Sequence, residues 1–153
     1  MAKRIYEKPS VTADCVILRR EAETGRLHVL LIQRAKEPFA GRWALPGGFV
    51  NKDEALIEAA RRELREETGL RVMKLRQVGA FGDPGRDPRG WTVSVAYLAE
   101  VLGTKHKAQA ADDAQAVNWF PVDALPRFAL DHGKILKLAL AAYSTEDAKA
   151  TGR

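Results

Sequence analysis

The sequence predicts an α/β protein in which a mixed sheet lies between helices. Three observations predict this. Two aliphatic, β-branched runs, 11–20 and 26–34, flank the short turn-like stretch "EAETG". Residues 53–68 carry apolar side chains at helical spacing. A second helical stripe, Ile135, Leu138, Ala139, Ala142 and Tyr143, falls within 131–143.

Each element has a local reason. The runs "VTADCVILRR" and "RLHVLLIQR" read as a hairpin. "PFAGRWALPGGFV", 38–50, is punctuated by Gly and Pro and reads as a loop with a short extended piece. The helix over 53–68 is followed by Gly69, a residue suited to the left-handed position that ends a helix. Asn51 and Glu54 stand at capping-box spacing, and Asp53 is the other candidate cap. Residues 71–81 and 91–101 alternate as strands, with the turn-rich "GDPGRDPRG" between them. "AVNWF", 116–120, is another short strand, and the tail "STEDAKATGR" is expected to fray.

The 153 residues suit one domain with a core spanning about 11–143 and flexible tails. Charged residues make up 29% and no apolar run approaches a membrane span, which argues for a soluble protein without a membrane partner. The start, "MAKRIYEKPS", lacks the apolar core of a signal peptide, and the lone Cys15 allows no internal disulfide; both fit a cytoplasmic location. The net charge of +5 favours anionic partners such as phosphorylated small molecules. Without a Lys/Arg block there is little to hold a nucleic acid.

The stretch "RRELREETGL", 61–70, breaks a local rule. Carboxylates are unfavourable near a helix C-terminus, and like charges three or four residues apart repel. Yet Glu63, Glu66 and Glu67 crowd the last turns. At about 100° per residue, Leu56, Ala59 and Ala60 point one way, with Ile57 and Leu64 at the edge, and Glu63 repeats the direction of Leu56. The carboxylates therefore extend the apolar face toward the protein body. Partly buried, unpaired carboxylates are costly or take up protons. Arg62 is displaced too far around the helix to neutralise all three. A divalent cation with a preference for hard oxygen, Mg2+ foremost, is the economical solution, because it leaves positions for water and substrate phosphates. Gly47 and Gly48 let the backbone approach a ligand, and the Gly47 carbonyl is a candidate further metal ligand.

These residues resemble the Nudix box: Gly48, Glu54, Arg62, Glu63, Leu64, Glu66, Glu67, Gly69 and Leu70 match every constrained position over 23 residues. "LIQRAKEPFAGRWALPGGFV" and "AVNWFPVDALP" are similar to the flanking segments of Nudix hydrolases, so the resemblance covers roughly 11–143. It implies a Nudix-type α/β/α sandwich with a mixed central sheet. It also implies Mg2+- or Mn2+-dependent hydrolysis of a nucleoside diphosphate linked to another moiety. Glu63, Glu66, Glu67 and Gly47 would hold the metal and Arg62 would orient the glutamates. Ala55 departs from the family, which often has Ser or Thr there to cap the helix.

Within the family, 81–101 resembles the ADP-ribose pyrophosphatase branch, which carries a proline some fifteen residues past the box, where Pro84 stands. "FALDHGKIL" resembles the C-terminal helix of that branch and of related regulators, which add a DNA-binding domain that this chain is too short to hold. The resemblance implies a loop carboxylate as general base, with Asp112 and Asp113 as candidates or else a solvated loop pair. Arg34, Arg86 and Arg89 are candidates for phosphate or ribose contacts, or else inert surface arginines. Phe81 or Trp91 would stack on adenine, or else belong to the core. His28, His106 and His132 stand isolated and read as structural or exposed. Relatives of this branch are often dimers, so a homodimer is also in view. Another nucleotide substrate, or an ADP-ribose-binding module without catalysis, are the alternative readings.

Overall fold

The structure is a computed structural model and describes residues 2–102 and 114–150. In chain order the elements are β1 (Ser10–Arg20), β2 (Leu27–Arg34), β3 (Trp43–Ala44), β4 (Gly47–Phe49), α1 (Leu56–Thr68), β5 (Arg76–Phe81), β6 (Thr92–Val101), β7 (Ala114–Pro121) and α2 (His132–Ala150). The strands form a seven-stranded sheet ordered β3-β2-β1-β6-β5, with β4 paired to β1 and β7 to β2.

The sheet is mixed. β1 and β6 run parallel from Ser10↔Thr92 to Arg19↔Val101, and β1 and β2 form the antiparallel hairpin expected from the sequence, with Leu18 opposite Val29. Helices cover both faces. On β1, Ala13, Cys15 and Ile17 face Ala59, Ala60 and Leu64 of α1, while Val16 and Leu18 face Ile135, Leu136 and Ala139 of α2. This is the period-two alternation of a strand. Because both faces are covered, Thr12–Leu18 is buried throughout and reads as one nearly continuous apolar run.

Several boundaries differ from the sequence-based expectation. The loop at 38–50 contains both β3 and β4, each too short to display a periodicity. β5 begins at Arg76 rather than at 71. α1 begins at Leu56: Asp53 has a left-handed φ of 64°, and Ala55 occupies the N-cap without a side-chain hydrogen bond. Neither Asn51 nor Asp53 caps the helix. Glu54 instead accepts the Asn51 N–H at 3.0 Å, which closes the turn ahead of it. Leu56, on the first turn, is exposed, so the buried stripe starts at Ala59 and Ala60. At the other end Gly69 takes the expected left-handed conformation, and its N–H donates to the Arg65 carbonyl at 2.8 Å.

α2 continues to Ala150, past the expected fraying point. Arg76 pairs with Glu146 at 2.9 Å and ties this extension to the edge of the sheet. Of the expected stripe on α2, Ile135, Ala139, Ala142 and Tyr143 pack in the core; Leu138 is exposed and Leu136 is buried in its place. Among the described residues no helix is long and apolar enough to cross a membrane.

Candidate active site

The last two turns of α1 bring Glu63, Glu66 and Glu67 to one cavity of about 610 Å³, which Gly47, Gly48, Phe49, Arg34 and Arg89 also line. α1 packs on β1 and β4, so its carboxylates meet the loop-strand that carries the two glycines. Glu67 is the deepest. It accepts the Gly47 N–H at 2.7 Å. Burial pushes its carboxyl up to about 8, the negative charges of Glu63 and Asp14 add to this, and the Gly47 N–H and the Arg34 cation oppose it. Burial also raises Glu63, against the pull of Arg62. Glu66 is the outermost, with its side chain 41% exposed.

Arg62 organises the acidic wall. Its Nε and Nη2 donate to the two oxygens of Glu54 at 2.7 and 3.0 Å. Nη1 donates to Glu63 at 2.7 Å and Glu66 at 3.2 Å, and Nη2 donates also to the Phe49 carbonyl at 3.0 Å. Its five N–H groups are thereby engaged. Arg62 holds the Glu54 carboxyl down at about 2. It does not reach Glu67, whose hydrogen bond comes from Gly47.

The glycines are required by space. A Cβ on Gly47 would overlap the Ala13 carbonyl oxygen and lie 2.8 Å from the Asp14 Cα. A Cβ on Gly48 would lie 2.5 Å from the Glu63 carboxyl carbon. Gly47→Ala must move backbone, and is expected to cost about 1–3 kcal/mol of stability in urea denaturation, as overpacking does. In Gly48→Ala only the end of a side chain must move, so the loss of stability should be smaller. Equal losses in the two variants would contradict this reading.

The donor set fits a divalent cation. It consists of hard carboxylate oxygens, and two of the three carboxyls are held above their ordinary range chiefly by burial, with repulsion from neighbouring carboxylates adding to it. Glu63, Glu66 and Glu67, with the Gly47 backbone beside them, are the residues that could hold it. As placed, Glu63 and Glu66 turn to Arg62 and Glu67 to Gly47. Among the described residues no three His, Cys, Asp or Glu side chains are already gathered as a metal cluster. Arg62 takes one oxygen of Glu63 and one of Glu66, which leaves the other oxygen of each for a cation.

The remaining sequence candidates divide. Arg34 and Arg89 line the cavity. Arg34 is anchored through its Nε to the Pro38 carbonyl at 2.8 Å, and burial followed by the nearby Arg89 charge lowers its affinity for its proton. Arg89 is gripped by Asp87, with Nη2–Oδ2 at 2.8 Å, and its guanidinium lies 4.9 Å from the Phe49 ring centre. The Arg86 side chain is 4% exposed and forms a bidentate pair with Asp131 at 2.9 and 2.6 Å, as Arg89 does with Asp87, and it borders a smaller recess beside the cavity together with Arg34, Glu67 and Arg89. Phe81 takes the core alternative. It packs in the cluster beneath α2 and is not among the residues that line the cavity. Trp91 is 53% exposed, belongs to neither large core cluster and does not line the cavity. Asp112, Asp113 and His106 lie outside the described residues.

Sequence reasoning passed over Asp14, Asp87, Asp131 and the placement of His132. Asp14 carried a signal: it is the one charge inside the apolar run "VTADCVIL". It is buried, accepts from Ser94 and from Thr12 (3.4 Å), and lies against Gly47. His132 is buried; its Nδ1 accepts the Leu45 N–H at 3.0 Å and its Nε2 lies 3.9 Å from Asp14. Burial lowers its pKa, so the imidazole is neutral.

Known proteins share this architecture. The NUDIX domain family matches residues 8–139. Over 134 residues the chain is 40% identical to the ADP-ribose pyrophosphatase of Methanocaldococcus jannaschii, an alignment covering 88% of this chain and 75% of that one. A MutT/nudix family protein from Enterococcus faecalis superposes with a TM-score of 0.86 at 37% identity, over 95% of this chain and 66% of that one. The NUDIX domain of Shewanella oneidensis NrtR, solved in complex with ADP ribose, superposes with a TM-score of 0.79 at 30% identity, over 90% of each chain. With the box residues gathered at one cavity and the family match spanning most of its length, the chain belongs to the Nudix hydrolase family.

Proposed function

We propose that the chain is a Mg2+- or Mn2+-dependent pyrophosphohydrolase of a nucleoside diphosphate linked to another moiety, and that ADP-ribose is its substrate. The observation that carries this is one cavity lined both by the carboxylates of Glu63, Glu66 and Glu67 and by the guanidinium groups of Arg34 and Arg89. Such a cavity can take a cation and a pyrophosphate together. The likeness to an ADP-ribose pyrophosphatase and to a domain solved with ADP ribose supports the choice of substrate.

A bound divalent ion would supply charge neutralisation on the pyrophosphate and acidify a water. The chain's own residues do the rest. Glu67, Glu63 and Glu66 would hold the ion, and Arg62 keeps the last two aligned. Arg34 and Arg89 bind the pyrophosphate oxygens. Gly47 and Gly48 let β4 lie close against β1 and the Glu63 carboxyl, which sets the wall of the cavity. Water adds to one phosphorus, the bridging P–O bond breaks, and AMP and ribose 5-phosphate leave. Asp112 and Asp113 remain the candidates for accepting the water's proton. A cytoplasmic location and a homodimer belong to the same reading, the first supported by the lone buried Cys15.

A panel of ADP-ribose, a diadenosine polyphosphate and a modified nucleoside triphosphate, assayed with Mg2+ and with chelator, tests the proposal. The highest kcat/KM is expected for ADP-ribose, with release of AMP and no turnover in chelator. Preference for another nucleotide would overturn the substrate, and calorimetric binding of ADP-ribose without product would favour a pure binding module.

A further inference from the structure

Asp131, just before α2, and His132, its first residue, reach to the two loops that wall the cavity. Asp131 accepts Nε and Nη2 of Arg86 at 2.9 and 2.6 Å, and that pair is nearly sealed from water. Arg86 Nη1 in turn donates to Thr92 at 3.2 Å, whose hydroxyl donates to Asp87 at 3.2 Å, and Asp87 grips Arg89. Asp131 thus fixes the segment between β5 and β6 that presents Arg89 to the cavity.

The next residue, His132, acts on the other wall. Its Nδ1 accepts the N–H of Leu45, two residues before Gly47 in the turn between β3 and β4. Since Nδ1 accepts, the ring proton of the neutral imidazole is on Nε2, on the side of Asp14. Asp14 is itself paired in register with Gly47 and borders the same recess of about 80 Å³ as His132, Gly47 and Glu67. The Gly47 N–H that Glu67 accepts is therefore placed from behind by the imidazole.

We propose that Asp131 and His132 are positioning residues for the two halves of the site: Asp131 sets Arg89 for the substrate, and His132 sets the Gly47 backbone for the acidic wall and its cation. This rests on the hydrolase reading above, but its main readout, Mn2+ binding to the substrate-free protein followed by electron paramagnetic resonance, does not require turnover. In His132→Leu the Mn2+ affinity should fall about tenfold, the scale of lost support behind a metal site, with KM for ADP-ribose little changed. His132→Asn, which can present an oxygen to the Leu45 N–H, should restore the affinity to within about threefold of wild type. Asp131→Asn should raise KM about fivefold and leave Mn2+ affinity alone, the pattern of weakened substrate binding. The proposal is overturned if His132→Leu and His132→Asn bind Mn2+ equally, or if Asp131→Asn and His132→Leu move the same parameters together. Should His132→Leu not fold, His132→Gln, which shifts the acceptor by one bond, replaces it in the comparison with Asn. If wild-type protein binds Mn2+ but cleaves no nucleotide, the hydrolase reading fails while the Mn2+ comparison still stands or falls on its own.

Discussion

Glu67→Gln is expected to lower divalent-dependent AMP release from ADP-ribose by about 10²–10³-fold, the scale of removing one preorganised electrostatic contact, while the fold stays intact. The substituted side chain has nearly the same shape and keeps an oxygen to accept the Gly47 N–H. It loses only the charge, which is what the proposed cation requires and what the metal-free protein tolerates badly. That second aspect gives a measurement independent of turnover. The groups that face Glu67 are the carboxylates of Glu63 and Asp14, the Arg34 cation and the Gly47 N–H. Their sum with burial places the folded carboxyl at about 8, against about 4.3 in an unfolded chain. Between those values the native state binds the proton more tightly than the unfolded state does. Its stability is therefore highest at the acidic end and is lost as pH rises through the window. Glu63, also raised, adds to this slope and His132, lowered, opposes it, so the contribution of Glu67 is the difference: in chelator, urea denaturation should show wild-type stability falling relative to Glu67→Gln from about pH 5 to 8.5. Near-normal turnover in the variant, or an identical pH slope, would take Glu67 out of the role assigned here.

Arg62→Lys is expected to be nearly as damaging, for a different reason. The guanidinium spans Glu54, Glu63, Glu66 and the Phe49 carbonyl at once. An ammonium has three donors and no fork, so it cannot keep the bidentate grip on Glu54 and also reach the other two carboxylates. The variant should lose about 1–3 kcal/mol in urea denaturation at pH 7, the range for charged hydrogen bonds, with discount for the partial exposure of these groups. Its kcat should fall about tenfold or more, because Glu63 and Glu66 are no longer aligned. Unchanged stability and rate in Arg62→Lys would mean that one point charge suffices and that fork geometry is irrelevant.

The parts of the site that lie close together in sequence were legible. Glu63, Glu66 and Glu67 share the inward side of α1 because they continue the stripe of Ala59 and Ala60, and helical spacing makes that visible from the chain alone. Gly69 ends the helix in the conformation its residue type suggests. What lay hidden depends on distant partners or on shifts of register. Arg86 looked like a free loop arginine because its partner Asp131 is 45 residues away. Phe81 was open between stacking on a base and the core, and the register slip of β5 between Gln77 and Gly79 accompanies its place in the core. Val78 and Phe81 accordingly join the same cluster although three residues apart. His132 looked isolated because Leu45 and Asp14 approach it only through the sheet. Asp14 alone among the missed residues announced itself, as a charge in a buried strand.

The most direct measurement of the central claim is anomalous diffraction from crystals soaked in Mn2+. A peak bonded at about 2.1 Å to oxygens of Glu67 and Glu63, with the Gly47 backbone in the same shell, is the predicted result. Glutamates still turned to Arg62 and Gly47, with no ion among them at saturating Mn2+, would contradict it.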